Sequence, residues 1–229
     1  MSVLGAIAWA AFTATTLGLT VPFTETFSTN DSNWLNGDSS APTWHSTGGI
    51  GDTSYISWTA PEFTSSGGFG DPLKIMFRAN NSADASGDAF VGNWISGGVI
   101  YLTLSVRHNY DTDLNFYARL AGTGGAGASL SNDESLFGIA PNTWTTITIE
   151  ITDSDPPFTS YGSSTFNGTF SNIQNLQFGL YLPDATTFTN LRLDVDNVSI
   201  VPEPGTSALL VAGALGAAFA AWRRRKSRG

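Results

Sequence analysis

Between Phe23 and Ile200, apolar residues recur at alternate positions in short runs, and Gly, Asn, Asp, Ser and Pro separate the runs. That is the pattern of half-buried strands joined by turns. Leu73, Ile75, Phe77 and Ala79 alternate with Lys74, Met76 and Arg78. Ile100, Leu102, Leu104 and Val106 share one parity, with Tyr101, Thr103, Ser105 and Arg107 on the other. Leu114, Phe116, Ala118 and Leu120 repeat the alternation, as do Ile147, Ile149 and Ile151, and then Leu176, Phe178, Leu180 and Leu182. Leu191, Leu193 and Val195 open a last strand, but Val198 and Ile200 are apolar at the opposite phase. A strand changes phase within its sheet through an extra residue, so a β-bulge is predicted near Asp196-Asn197. No internal stretch carries a convincing helical period. The expectation is an all-β fold, an antiparallel β-sandwich of the jelly-roll kind over 23–200.

The two ends break this pattern. Ser2–Thr20 is apolar and small, without acid or base, and contains Trp9 and Phe12. It has the length of a secretory h-region but lacks the usual basic residues before it. A signal peptide over 1–20 is predicted, with an uncleaved leader strand as the alternative. Near the other end, Pro202, Glu203 and Pro204 precede an apolar run, Thr206–Trp222, of 17 uncharged residues. Arg223, Arg224, Arg225 and Lys226 follow it. As a helix the run would rise about 25 Å, slightly short of a hydrocarbon core of roughly 30 Å. One C-terminal transmembrane helix over 206–222 is therefore predicted, with the basic segment 223–229 cytoplasmic and the rest outside the inner membrane.

Motif, apolar span and basic tail, in that order over 201–229, resemble the PEP-CTERM sorting signal of Gram-negative bacteria that make exopolysaccharide. The resemblance implies recognition by an exosortase, a membrane-embedded cysteine peptidase, removal of the tail, and delivery to the surface or extracellular matrix. A plain single-span anchor is the alternative, and both readings place the central domain outside.

Charge sharpens that view. All 19 acids lie at or before Glu203 and five of the ten bases lie after Trp222, so 19 acids against five bases leave the exported part at −14. Nucleic acid is an unsuitable partner for such a surface. The chain has no cysteine, so neither disulfides nor thiol chemistry are available. His45 and His108 are the two histidines, and neither has a neighbouring Ser in a nucleophile motif. Paired carboxylates for glycoside hydrolysis need only a suitable separation, and no spacing selects a pair. Asp111-Thr-Asp113 after His108 reads as a hairpin turn with exposed acids, with a second cation loop as the alternative. Gly122-Thr-Gly124-Gly-Ala-Gly127 matches a phosphate-binding pattern formally, but no amphipathic helix follows it, so it reads as a loop.

Phe23-Thr-Glu-Thr-Phe27, Gly48-Gly49 with Tyr55-Ile56, and Leu193-Asp-Val-Asp196-Asn197-Val198 resemble segments of galactose-binding-type jelly rolls, the plan of carbohydrate-binding modules and laminin-type domains. That resemblance implies adjacent first and last strands, with a structural Ca²⁺ between them. Glu25 and Asp196 are the candidate ligands, since carboxylate and freed carbonyl oxygens suit that ion. For a polysaccharide ligand the candidates are aromatic: Trp34, Trp44 and Trp94 in polar stretches, and Tyr117 and Tyr181 on the polar parity of strands. Sugars stack their C–H faces on such rings while neighbouring amides supply hydrogen bonds. The reading is an exported, non-catalytic protein that binds polysaccharide; a matrix adhesin without glycan specificity and a glycoside hydrolase are the alternatives.

Overall fold

The computed structural model describes residues 18–66, 75–122, 124, 126–130, 137–153 and 157–202. Most of the predicted signal peptide, Glu203, Pro204, the 206–222 run and Arg223 to Lys226 lie outside the described residues. Among the described residues no helix is long and apolar enough to cross a membrane.

In chain order the strands are β1 (Phe23–Glu25), β2 (Leu35–Asn36), β3 (Thr43–His45), β4 (Tyr55–Thr59), β5 (Phe63–Thr64), β6 (Met76–Asn80), β7 (Val99–His108) and β8 (Leu114–Ala121). There follow β9 (Gly127–Leu130), β10 (Gly138–Ile139), β11 (Thr145–Glu150), β12 (Phe158–Tyr161), β13 (Asn175–Tyr181), β14 (Thr187–Phe188) and β15 (Arg192–Pro202). A single helical turn, α1 (Phe166–Phe170), is too short to leave a periodic signal. It is N-capped by Thr165, whose hydroxyl accepts from the Gly168 amide at 3.0 Å.

One sheet runs β11-β7-β15-β4-β3, the other β12-β9-β8-β13-β6-β2, and β5 with β14 makes a two-stranded ribbon. All these pairings are antiparallel. The longest strand, β15, organises the first sheet. Along one edge it pairs with β7; along the other it pairs with β4 through Arg192–Val195 and with β1 through Val198–Ile200. Between those two partners its register against β7 shifts, from Asp196 to Ser199, and Asn197 takes φ 50°. This is the bulge that the change of apolar phase requires. It lets Leu193 and Val195 before it, and Val198 and Ile200 after it, all reach full burial.

A single apolar cluster draws Leu102, Leu104, Val106, Val195 and Ile200 from the first sheet and Phe77, Phe116, Leu120, Leu176 and Phe178 from the second. Two antiparallel sheets therefore face each other across one core, as in a β-sandwich. Burial departs from simple alternation at Met76, which has the polar parity yet is fully buried beside Gly179, its cross-strand partner.

Candidate functional site

Residues directly opposite one another in an antiparallel pair share a face. On the second sheet the face turned away from the core therefore carries Arg78, Gln177, Arg119, Ser129 and Thr159 as one row across β6, β13, β8, β9 and β12. On one side of this row lie Asn80 and Asn175, with Tyr161 opposite Gly127 at the far edge. On the other side Tyr117 stands opposite Gly179, and beyond them Tyr181 stands opposite Asn115. The side chains at these strand positions include no carboxylate.

Polar atoms on this face are shielded but unmatched. Arg78 Nε, Gln177 Oε1, Arg119 Nε, Asn175 Oδ1 and Tyr161 Oη are all inaccessible to solvent and, among the described residues, lack a hydrogen-bond partner. Each such orphan costs roughly 1–3 kcal/mol, so a native surface that gathers several needs an explanation. The Arg119 guanidinium carbon sits 4.6 Å from the centre of the Tyr161 ring, a cation–π contact at the edge of the face. Tyr117 is buried, and that burial pushes its phenol well above the ordinary range. At the end of the face, Asp113, Leu114, Asn115, Tyr181 and Pro183 line a shallow pocket of ≈ 130 Å³. Asn115 and Arg119 are four residues apart on β8, so pocket and arginine row lie about 13 Å apart along the strand.

The sequence candidates divide. Tyr117 and Tyr181 fall together on this face. Trp34 and Trp94 do not: both are fully buried, which corrects the reading of them as loop rings open to ligand. The Trp34 ring meets Phe27 and Phe90 edge-on, at 5.5 and 6.1 Å, and its indole N–H donates to Ser86 Oγ at 2.8 Å. Trp94 donates to the Phe90 carbonyl at 2.7 Å. Their polar neighbours in sequence form the turns and bends that flank them. Trp44 is 36% exposed, but on β3 of the first sheet, with its N–H on the Phe27 carbonyl at 2.6 Å. Arg78, Arg119, Gln177 and Tyr161 were not selected from sequence. Polar parity could have flagged each of them, whereas their meeting in one row depends on strand order.

The outer face of the first sheet is chemically rich and closed upon itself. Asp194 is fully buried, with Oδ2 accepting from Arg107 Nε at 2.8 Å and Oδ1 3.1 Å from Arg192 Nε. Burial raises its pKa in spite of both guanidinium groups. Arg107 lies 4.5 Å from the Trp144 ring and 5.3 Å from Tyr55, and His45 stacks on Tyr55 at 4.4 Å. His45 Nε2 also meets Ser57 Oγ at 2.7 Å, a proximity that spacing in the chain did not reveal. It does not make a hydrolytic triad, because Asp194 directs its oxygens at the two arginines and Ser57 is buried.

β1 does lie against β15, yet the two Ca²⁺ candidates meet hydrogen-bond donors. Asp196 Oδ2 accepts from Ile50 N at 3.0 Å and Thr53 Oγ1 at 2.9 Å, and Oδ1 accepts from Asn197 N at 2.7 Å. Glu25 Oε1 accepts from Phe27 N at 2.7 Å. Among the described residues no three His, Asp or Glu side chains gather as metal ligands. This donor-filled arrangement does not fit a cation; it ties the bulge to the 50–53 turn. Gly49 belongs to that tie, since a Cβ there would lie 2.6 Å from Asp196 Oδ2.

Fold and face together define a two-sheet β protein with a polar, aromatic-edged sheet surface. Its C-terminal end adds an address: residues 201–226 match the PEP-CTERM protein-sorting motif. That motif marks an exported protein and implies an exosortase as its processing enzyme. Pro202, the first residue of the Pro-Glu-Pro, is the last residue of β15 and is buried opposite Val99. No curated protein matches the chain in sequence. Among solved structures the chain is similar to an exo-β-agarase, with 13% identity over 81% of this chain and 25% of that one, at a TM-score of 0.50. It is also similar to a family 11 carbohydrate-binding module from Clostridium thermocellum in complex with a β-1,3-1,4-mixed-linked tetrasaccharide (14% identity, 80% and 97% coverage, TM-score 0.41). A third likeness is to the L4b domain of human laminin α-2 (12% identity, 80% and 98% coverage, TM-score 0.44). The agarase likeness is one of fold alone, and the chain spans about a quarter of that protein's length.

Proposed function

We propose that the chain is an exported, non-catalytic jelly-roll protein that binds polysaccharide across the outer face of its second sheet. In this reading it belongs to a Gram-negative bacterium, is held by its 206–222 span until exosortase removes the tail, and then resides at the cell surface or in the extracellular matrix. The observation that carries the binding role is the row Arg78–Gln177–Arg119, two guanidinium groups flanking an amide across three adjacent strands. Hydroxyl groups of a sugar chain donate and accept at once, so they match a mixed row of guanidinium and amide groups. Tyr181 and its pocket offer a ring at one end, and the distance to the row suits a ligand of several linked sugars. The lack of carboxylates at the strand positions of the face supports binding over glycoside cleavage.

Titration calorimetry of the purified full-length chain against a panel of polysaccharides tests this. Gln177→Ala and Tyr181→Ala are each expected to weaken binding about tenfold, the cost of one good hydrogen bond or stacking contact. Trp44→Ala, on the other sheet, is expected to leave affinity unchanged. Binding that depends on Trp44 and ignores Gln177 and Tyr181 would move the site to the first sheet and overturn the proposal.

A further inference from the structure

The five bases at or before Trp222 are Lys74, Arg78, Arg107, Arg119 and Arg192, set against 19 acids. With acids in such excess, an ion pair is the expected state of every arginine. Arg107 and Arg192 do, sharing the buried Asp194. Arg78 and Arg119 do not: among the described residues neither forms an ion pair, and both keep a solvent-shielded Nε–H without an acceptor. Asp38 feels Arg78 weakly, but that exposed carboxylate is already bonded to the amide and hydroxyl of Ser40.

The two arginines also hold each other's company at a cost. Both pair with Gln177, one from each side, so their backbones are two strand spacings, about 10 Å, apart. Among the described residues the strand position between them holds a neutral amide, Gln177, whose own Oε1 is unpartnered. The described strand positions around them carry no carboxylate, so the two like charges repel one another, and each guanidinium is a planar N–H fork. That fork geometry matches the paired oxygens of a carboxylate or sulfate.

We infer that the ligand of this face is an anionic polysaccharide, with Arg78 and Arg119 each taking an acidic substituent, uronate carboxylate or sulfate ester, of one chain laid across β6, β13 and β8. The inference rests on the polysaccharide-binding reading and adds the ligand's charge. Contacts of this kind are screened by salt, which sets them apart from ring stacking.

Pairs of polymers that differ in charge but not in backbone test it with the full-length chain. Polygalacturonate is compared with its fully methyl-esterified form, and ι-carrageenan with its chemically desulfated form, at low and high NaCl. Tighter binding to at least one charged member than to its neutral partner, by about tenfold and eroded by salt, is the expected result. Preference within the first pair assigns uronate, and within the second sulfate. Arg78→Gln and Arg119→Gln should each remove about tenfold of affinity for the charged polymer alone, while Arg78→Lys and Arg119→Lys, which keep the charge, retain more of it. Unchanged melting temperatures exclude misfolding of the variants. Equal affinity for charged and neutral members overturns the inference and leaves the polysaccharide reading standing. A folded chain that binds none of the four polymers overturns the inference and counts against the broader reading as well.

Discussion

Trp34 and Trp94 show how a residue's neighbours in sequence and its neighbours in space can disagree. Each sits among Asn, Asp, Ser and Gly, yet each is enclosed, and each satisfies its one N–H inside the protein. A buried indole contributes through area and packing, so its loss leaves a cavity lined by other rings. Trp34→Ala and Trp94→Ala are each expected to cost about 3–5 kcal/mol in urea unfolding. Trp44→Ala, at a 36% exposed ring, should cost far less. Equal costs at the three positions would mean that exposure is a poor guide to their roles.

At the scale of the element, β15 gives its two faces different work. Leu193, Val195, Val198 and Ile200 turn into the core, and Asp194 and Asp196 turn outward into polar networks that bind strands to turns. Asp194 stands opposite Arg107 on β7, and its carboxylate ties that arginine to Arg192 of β15 itself. Removing it leaves two guanidiniums facing each other without a counter-charge. The arginine side chains are 18% and 37% exposed, so water offsets part of the loss. Asp194→Ala is expected to destabilise by on the order of 2–3 kcal/mol, less than a fully enclosed pair would show. Arg192→Ala should cost under about 1 kcal/mol, since its half-exposed head contributes as a surface pair does. Chemical denaturation of the two variants checks the ordering, and the reverse order would show that Arg192 is the tighter partner.

For the molecule as a whole, pH exposes groups that folding has shifted in opposite senses. His108 is enclosed: Nδ1 accepts from the Tyr110 amide at 3.2 Å, so the neutral ring carries its proton on Nε2 and donates to the Ile139 carbonyl at 2.9 Å. Burial lowers its pKa from 6.5, and burial lowers that of His45 too. A folded-state pKa below the unfolded one means stability that is present above 6.5 and lost as pH falls through the folded value. Asp194 and Asp196 are raised by burial from 3.8, so they act in the other sense: their favourable contribution is present below 3.8 and lost as pH rises through the folded values. The difference between wild type and His108→Gln isolates the histidine. Melting temperatures measured from neutral to mildly acid pH should fall more steeply in the wild type than in the variant. Parallel curves would show that His108 titrates as it does in the unfolded chain.

Strand periodicity along the chain was enough to place the core faces of β6, β7, β8, β11, β13 and β15, because burial on one side of a sheet forces alternation with period two. It also located the bulge, since a change of apolar phase has few other physical causes, and the terminal motif, whose parts are consecutive. Parity further put Tyr117 and Tyr181 on the outward side. Tertiary structure alone decided which outward faces meet. Arg78, Gln177 and Arg119 are about 40 to 100 residues apart in the chain and become one row only because β13 inserts between β6 and β8. The same is true of the contact between His45 and Ser57, and of the enclosure of Trp34 and Trp94. Periodicity reports the side of a sheet on which a residue lies, a local property; the neighbours it finds there depend on strand order, which is set by the packing of the entire chain.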